Sequence, residues 1–99
     1  MIINGIRWIV RFVSPSHPML LTPRNTHALG ACDKATQAIY IDETLKPAWV
    51  KYILCHEIVH AIVFSYGYTL DYHEEEDLAD FIARHGEEIL HLTHFIYTK

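Results

Sequence analysis

The hydrophobic residues follow one spacing before residue 47 and another after it. Residues 2–13 are rich in Ile, Val, Trp and Phe with polar residues at intervals, which predicts a single half-exposed strand. Residues 14–27 hold three of the four prolines among Ser, Thr, Asn and His, which predicts a loop. Residues 28–32 and 37–42 are short and apolar, and they predict two strands joined by a turn.

From Pro47 onwards the spacing is that of helices. Proline suits the first turn of a helix, and Gly67 supplies a stop, so the sequence predicts a helix over 47–66. A second helix is predicted from Tyr72 or His73 to about residue 95, with its acidic first turn at the positive end of the helix dipole. The elements together predict an α+β fold, with a short twisted sheet of about three strands packed on two helices.

Composition narrows the class of protein. A chain of 99 residues with 51% hydrophobic and 20% charged residues predicts one folded domain over 1–99 and excludes a disordered chain. The net charge of −4 and the absence of a basic run argue against a nucleic-acid partner.

The apolar start is broken by polar residues, so we expect no secretion signal and no membrane partner. The two cysteines, Cys32 and Cys55, are interpreted as reduced thiols of a cytoplasmic protein. Eight histidines in a chain of this length are many, and imidazole is the commonest metal ligand in proteins.

Three of the chemically active residues lie inside the first predicted helix, in the pattern H-E-x-x-H over 56–60. Residues four apart share a helix face, so His56 and His60 can converge on one Zn²⁺ ion. Glu57 lies about 100° further round the helix, beside the metal, where it can take a proton from a zinc-bound water. The alternative is a helix whose histidines are one turn apart by chance. The apolar flanks predict a buried helix, in which unpartnered polar residues would be costly.

A catalytic zinc site needs a third protein ligand, and an acidic cluster begins 13 residues after His60. Glu76 and Asp80 share a face of the second helix, which predicts Glu76 as the ligand. Asp80 would then accept the other ring N–H of a ligating histidine and orient it.

Both acidic residues lie nearly opposite the strongest apolar stripe of that helix. The helix must therefore pack on two sides, with Ala79, Ala83 and Gly86 allowing close approach to the first helix. If it does not, Glu75 or His73 is the third ligand.

His85 lies on the apolar stripe and is interpreted as a partly buried histidine that can reach the site. Near the turn between the helices lie Tyr66, Tyr68 and Tyr72, one of which can donate to the oxyanion of a tetrahedral intermediate, although packing is the default role of each.

The H-E-x-x-H pattern followed by Glu76-x-x-x-Asp80 resembles the gluzincin pattern of thermolysin-like peptidases. The segment from Gly30 to Ile89 resembles the small ImmA/IrrE-type zincins of phages and mobile elements. The features that carry this resemblance are Leu29-Gly-Ala, Ile39-Tyr-Ile-Asp42, His56-Glu-Ile-Val-His-Ala61, Phe64-Ser-Tyr-Gly67, Glu75-Glu76, Asp80-Phe81 and His85-Gly-Glu-Glu-Ile89.

The resemblance implies a minimal zincin-like fold that binds one Zn²⁺ per chain through His56, His60 and Glu76, with Glu57 as the general base and Asp80 orienting a histidine. It also implies a peptide or protein substrate, extended along an edge strand formed by residues 37–42. We therefore expect a zinc metallo-endopeptidase. The alternatives are a zinc-binding module that docks to a regulator without cleaving it, and a structural protein in which the motif is fortuitous.

Overall fold

The structure is a computed structural model that describes residues 1–99. Its elements follow the α+β order predicted from the sequence. They are the strands β1 (Ile2–Ile3), β2 (Ile6–Arg7), β3 (Ile9–Val13), β4 (Gly30–Asp33) and β5 (Ala38–Asp42), and the helices α1 (Pro47–Tyr66) and α2 (Tyr72–Tyr97). A single 3₁₀ turn, Pro18–Leu20, interrupts the long loop after β3.

The first 13 residues do not form the single strand that was predicted. Asn4 and Gly5 both have positive φ, 49° and 78°, and they reverse the chain so that β1 and β2 pair as an antiparallel hairpin. Asn-Gly favours such a turn because both residues tolerate positive φ. Trp8 then separates the hairpin from β3. Its buried indole donates from Nε1 to Ser65 Oγ at 2.8 Å, which ties the hairpin to the end of α1.

The predicted sheet of about three strands is confirmed and is mixed, but its strand order corrects one expectation. β5 lies in the centre, parallel to β3 and antiparallel to β4. All five β5 residues are buried. Residues 37–42 therefore do not form an edge strand, because β3 and β4 cover both edges of β5. The strand at the edge beside α1 is β4.

Helix α1 has the bounds predicted from Pro47 and Gly67. The carboxylate of Asp42 accepts a hydrogen bond from the Thr44 backbone N–H at 2.8 Å, which shapes the turn that leads into the helix. Gly67 ends the helix with φ of 72°, a conformation that glycine adopts without strain. Ala61 of α1 packs on Ile39 and Ile41 of the central strand, and this contact forms the main core.

The expectation that α1 is buried all round is wrong. Trp49, Ile62 and Phe64 are exposed, because only the sheet, the hairpin and α2 cover the helix. By length and mean hydropathy (1.2), α1 is a candidate membrane span, with 22% of its apolar window buried. The core helix of a soluble protein passes the same test, so this property says nothing of location.

Helix α2 returns antiparallel to α1, since contacts join His60 to Glu75 at one end and Lys51 to Glu87 at the other. A capping box formed by Asp71 and Glu74 begins the helix. The predicted close approach is present at Ala79, which is fully buried against Val59 and Val63. This contact turns the acidic face of α2 towards the histidines of α1.

The predicted packing of α2 on a second side is not observed, and Glu76 nevertheless meets the histidines, because Ala79 packs on α1 and turns the acidic face of α2 inwards. The apolar stripe is largely exposed, and exposure increases towards the C-terminal end, where Leu92 is 55% and Ile96 68% exposed. No element other than α1 makes extensive contact with α2. His85 on the same stripe is also exposed, which corrects the expectation that it is partly buried.

Candidate metal centre

The two histidines of the motif face one another across one turn of α1. Their Nε2 atoms are 3.2 Å apart, and the two imidazole side chains are 13% and 12% exposed. The sequence places them there because residues four apart on a helix share a face. Close contact between α1 and α2 at Ala79 then presents both rings to the acidic first turns of α2.

Glu76 supplies a carboxylate to both imidazoles. One of its oxygens lies 2.7 Å from His60 Nε2 and the other lies 3.4 Å from His56 Nε2. One ligand atom from each of the three residues lies within 4.8 Å of the other two. Glu76 is more exposed than the histidines, at 37%, so the group is open to solvent on one side. His56, His60 and Glu76 are thus a group that could hold a metal ion.

The opposite nitrogen of each imidazole is held by a separate carboxylate. Asp80 Oδ1 lies 3.0 Å from His56 Nδ1, and Glu75 Oε2 contacts His60 Nδ1. A carboxylate at Nδ1 favours the tautomer that keeps the proton there and leaves the Nε2 lone pair for a metal ion. Glu75, the alternative third ligand in the sequence analysis, therefore lies on the far side of His60 from the Nε2 group.

These donors fit a zinc ion. Two imidazoles and one carboxylate with an open fourth position are the ligand set of catalytic zinc sites. Two Nε2 lone pairs and a carboxylate that face one another repel unless a proton or a cation lies between them. The supporting carboxylates at Nδ1 are a regular accompaniment of ligating histidines.

Glu57 lies beside this group and is buried, with 8% of its surface exposed. Burial raises the pKa of its carboxyl to about 7; the nearby Glu76 also raises it and His56 lowers it. A carboxyl group with a pKa near neutral can both accept and return a proton at physiological pH. The position of Glu57 is therefore the one expected of a general base.

The edge strand comes very close to Glu57 at Gly30. A Cβ atom at this position would lie 2.5 Å from Ile53 Cγ2 and 3.3 Å from Glu57 Oε2. Only glycine permits that approach, so the sheet and the Glu57 side of α1 form one wall of the site. Cys32, two residues along β4, has a thiol pKa raised to about 12, chiefly by burial and then by the charge of Glu57. It is a neutral thiol at physiological pH.

The cleft over the site has a volume of about 390 Å³. Its walls come from the loop before β4, from the first residue of β4, from α1 and from α2. The lining residues are Ala28, Leu29, Gly30, Tyr52, Ile53, His56, Glu57, His60, Tyr72, Glu76 and Asp80. Tyr52 was not among the site residues predicted from the sequence. Its position four residues before His56, on the same helix face, was the signal that could have found it.

Three residues named as lower-ranking candidates lie outside the cleft. His73 is exposed and packs on Tyr72. His85 packs on Phe81, with its Nδ1 3.7 Å from Glu88. Tyr66 is exposed and stacks on Tyr68. None of the three is brought to the Nε2 group of His56 and His60, whereas Tyr72, one of the three tyrosines proposed near the turn, lines the cleft.

Comparison of this chain with protein-family models, with curated proteins and with solved structures finds no match.

Proposed function

We propose that this protein is a zinc-dependent endopeptidase. The observation that carries the proposal is the Glu76 carboxylate, which faces the Nε2 atoms of both motif histidines while Glu57 lies free beside them. A ligand set alone would suit a structural or regulatory metal. A buried carboxyl group with a pKa near 7 at its side adds the base that hydrolysis requires.

Zinc bound by His56, His60 and Glu76 would polarise the scissile carbonyl and lower the pKa of a water molecule towards about 7. Glu57 takes the proton from the attacking water and later passes it to the leaving amine. Asp80 and Glu75 hold the imidazole rings in place throughout, through the Nδ1 atoms. The burial of Glu57 supports both proton transfers, because it brings the pKa of the carboxyl near the working pH.

The substrate in this proposal is an extended peptide that pairs with β4. One edge of β4 pairs with β5, and no further strand pairs with the other. A free edge offers backbone donors and acceptors to an added strand. Gly30 brings this strand against Glu57, so a peptide bound along it passes close to the base. β4 thereby takes the role that the sequence analysis gave to residues 37–42.

The direct test compares hydrolysis by the zinc-loaded protein and by Glu57→Gln, with an unfolded protein such as casein and a mixed peptide library as substrates. Glutamine keeps the shape of the side chain but cannot accept the proton, so we expect turnover to fall by a factor of about 10²–10⁴. Zinc content is expected to stay the same. The control is Glu88→Gln, which changes an exposed glutamate outside the cleft.

Equal turnover by the wild type and Glu57→Gln would refute the proposed base. A protein that binds zinc but cleaves no member of the library would instead support the binding-module alternative.

A further inference from the structure

A second hollow adjoins the metal cleft. It has a volume of about 500 Å³ and is lined by Ala48, Trp49, Tyr52 and Arg84. Tyr52 lines both this hollow and the cleft over the histidines, so the two adjoin at one side chain. A peptide bound across the metal centre can therefore place a neighbouring side chain, or its own end, in the hollow.

The charge in this hollow comes from Arg84, whose exposed guanidinium is influenced by the charge of Asp80 but forms no ion pair with it. Its Nε–H donates to Tyr52 Oη at 3.4 Å, and that hydroxyl donates to Asp80 Oδ1 at 3.3 Å. Arg84 takes part in none of the ion pairs of the protein. The nearby Glu87 is paired with Lys51 at 2.5 Å. The terminal NH₂ groups of Arg84 thus remain available to a ligand.

The other residues that line the hollow are aromatic or apolar, and they favour an apolar part in the ligand. Trp49 packs edge-on against Tyr52, with ring centroids 6.0 Å apart, and Ala48 adds a small apolar surface. The guanidinium fork matches a carboxylate through two parallel hydrogen bonds. An apolar wall with such a fork at its edge suits a group with a short hydrocarbon stem and a terminal carboxylate.

We propose that this hollow is a substrate subsite that binds a carboxylate of the peptide through Arg84, beside the aromatic wall of Trp49. The inference rests on the proposed peptidase function and adds a substrate class to it, namely peptides that present a carboxylate to this subsite. The carboxylate belongs either to an Asp or Glu side chain or to the C-terminus of the peptide. Tyr52 is a positioning residue, since it holds Arg84 on one side and contacts Asp80 on the other.

The test uses three peptide libraries with the zinc-loaded protein. The first contains blocked peptides with glutamate at one fixed position, the second has glutamine there, and the third is the glutamine library with a free C-terminal carboxylate. Products are identified by mass spectrometry, and kcat/KM is compared between libraries. We expect a preference of about tenfold for one carboxylate-bearing library over the blocked glutamine library. Whether the first or the third library is preferred identifies the source of the carboxylate.

Three variants assign that preference to the hollow. In Arg84→Gln we expect it to vanish, and in Arg84→Lys to fall, because lysine keeps the charge but not the fork. The matched control is Arg7→Gln, which removes an exposed arginine on β2 and should keep the full preference. Equal cleavage of the three libraries by the wild type, or a preference that survives in Arg84→Gln, would overturn the inference while leaving the peptidase proposal standing.

A binding measurement separates this inference from the peptidase proposal itself. Zinc-loaded Glu57→Gln is titrated with acetyl-glutamate amide, acetyl-glutamine and acetyl-glutamine amide, and the Trp49 indole resonance is followed by NMR. Trp49→Phe distinguishes that resonance from the one of Trp8. We expect a shift with at least one of the two acids, none with the amide, and none when Arg84→Gln is added. Indistinguishable titrations, or a shift that persists without Arg84, would contradict the inference whether or not any peptide is cleaved.

Discussion

The close approach of Gly30 to α1 allows a quantitative test of the site geometry through Gly30→Ala. The added Cβ would lie 2.5 Å from Ile53 Cγ2, whereas carbon atoms in contact are about 3.5–4.0 Å apart. The strand and the helix must therefore separate by about 1 Å, or the Ile53 side chain must leave its position. Such overpacking typically lowers the free energy of unfolding by about 1–3 kcal/mol.

The effect should appear in both stability and activity. For a domain of this size, that loss lowers the Tm by about 5–20 °C, measured by circular dichroism or calorimetry at fixed zinc concentration. The same Cβ would lie 3.3 Å from Glu57 Oε2, so the base must move as well. A displacement of about 1 Å at a reacting group can reduce kcat/KM by about 10²-fold, and since Glu57 has to move by less than that, we expect a smaller loss of kcat/KM.

Gly86→Ala provides the matched control. Gly86 lies in the interior of α2, where alanine favours the helix by up to about 1 kcal/mol. Its Cβ would meet only Ile82 Cγ2, at 3.3 Å. We expect an unchanged or slightly higher Tm and full activity. If Gly30→Ala matched the wild type in Tm and turnover, the described approach of β4 to Glu57 would be wrong.

Three further predictions follow from the surroundings of the site. Asp80→Asn and Glu75→Gln should each weaken zinc binding by about 10–100-fold in competition with a chromophoric chelator, and unchanged affinity would show that these carboxylates do not orient the histidines. In the metal-free protein, the raised pKa of Glu57 means that the folded state binds the proton more tightly than the unfolded state. Protonated Glu57 therefore stabilises the fold at pH 4.5, and this stabilisation is lost as the pH rises to about 7. Denaturant titrations of metal-free Glu57→Gln should therefore show a stability gain over the wild type that grows by about 1–3 kcal/mol across that interval; a constant difference would contradict the raised pKa. Cys32, with its thiol pKa near 12, should react with iodoacetamide at pH 8 at least about tenfold more slowly than in denaturant, as followed by mass spectrometry, and equal rates would contradict its burial.

The helices could be predicted from the sequence because their signals are local. Pro47 and Gly67 fix the ends of α1 by their own backbone preferences, and the four-residue spacing fixes His56 and His60 on one face. The hairpin before them had an equally local signal in Asn4-Gly5, which outweighs the apolar composition of the flanking residues.

The sheet order could not be predicted in the same way. The central position of β5 depends on parallel pairing with β3, which is separated from it by more than 20 residues of chain. The apolar run from Ala38 to Ile41 indicates a strand covered on both faces, but it does not indicate which strands pair with it. The packing of α2 also depends on tertiary contacts. The small residue Ala79 decides which face meets α1, although larger apolar residues lie elsewhere on the helix.

At the site, the sequence indicated the types of group but could not fully assign them. Glu75 and Glu76 are adjacent on α2, yet one contacts Nδ1 of His60 and the other contacts Nε2. A rotation of the helix by about 100° separates the two positions, and the packing of Ala79 determines that rotation. The hollow at Arg84 was not predicted, because its lining residues come from both helices, and tertiary contacts determine how the two helices are aligned.

The central claim, that His56, His60 and Glu76 hold a zinc ion, is tested most directly by the metal content of the protein purified without a histidine tag. Zinc per chain is measured for the wild type, for Glu76→Gln and for Asp77→Asn, which changes the adjacent exposed carboxylate. We expect about one zinc ion per chain in the wild type and in Asp77→Asn, and a clear loss in Glu76→Gln. No zinc in the wild type after dialysis against the metal, or full retention in Glu76→Gln, would contradict the account.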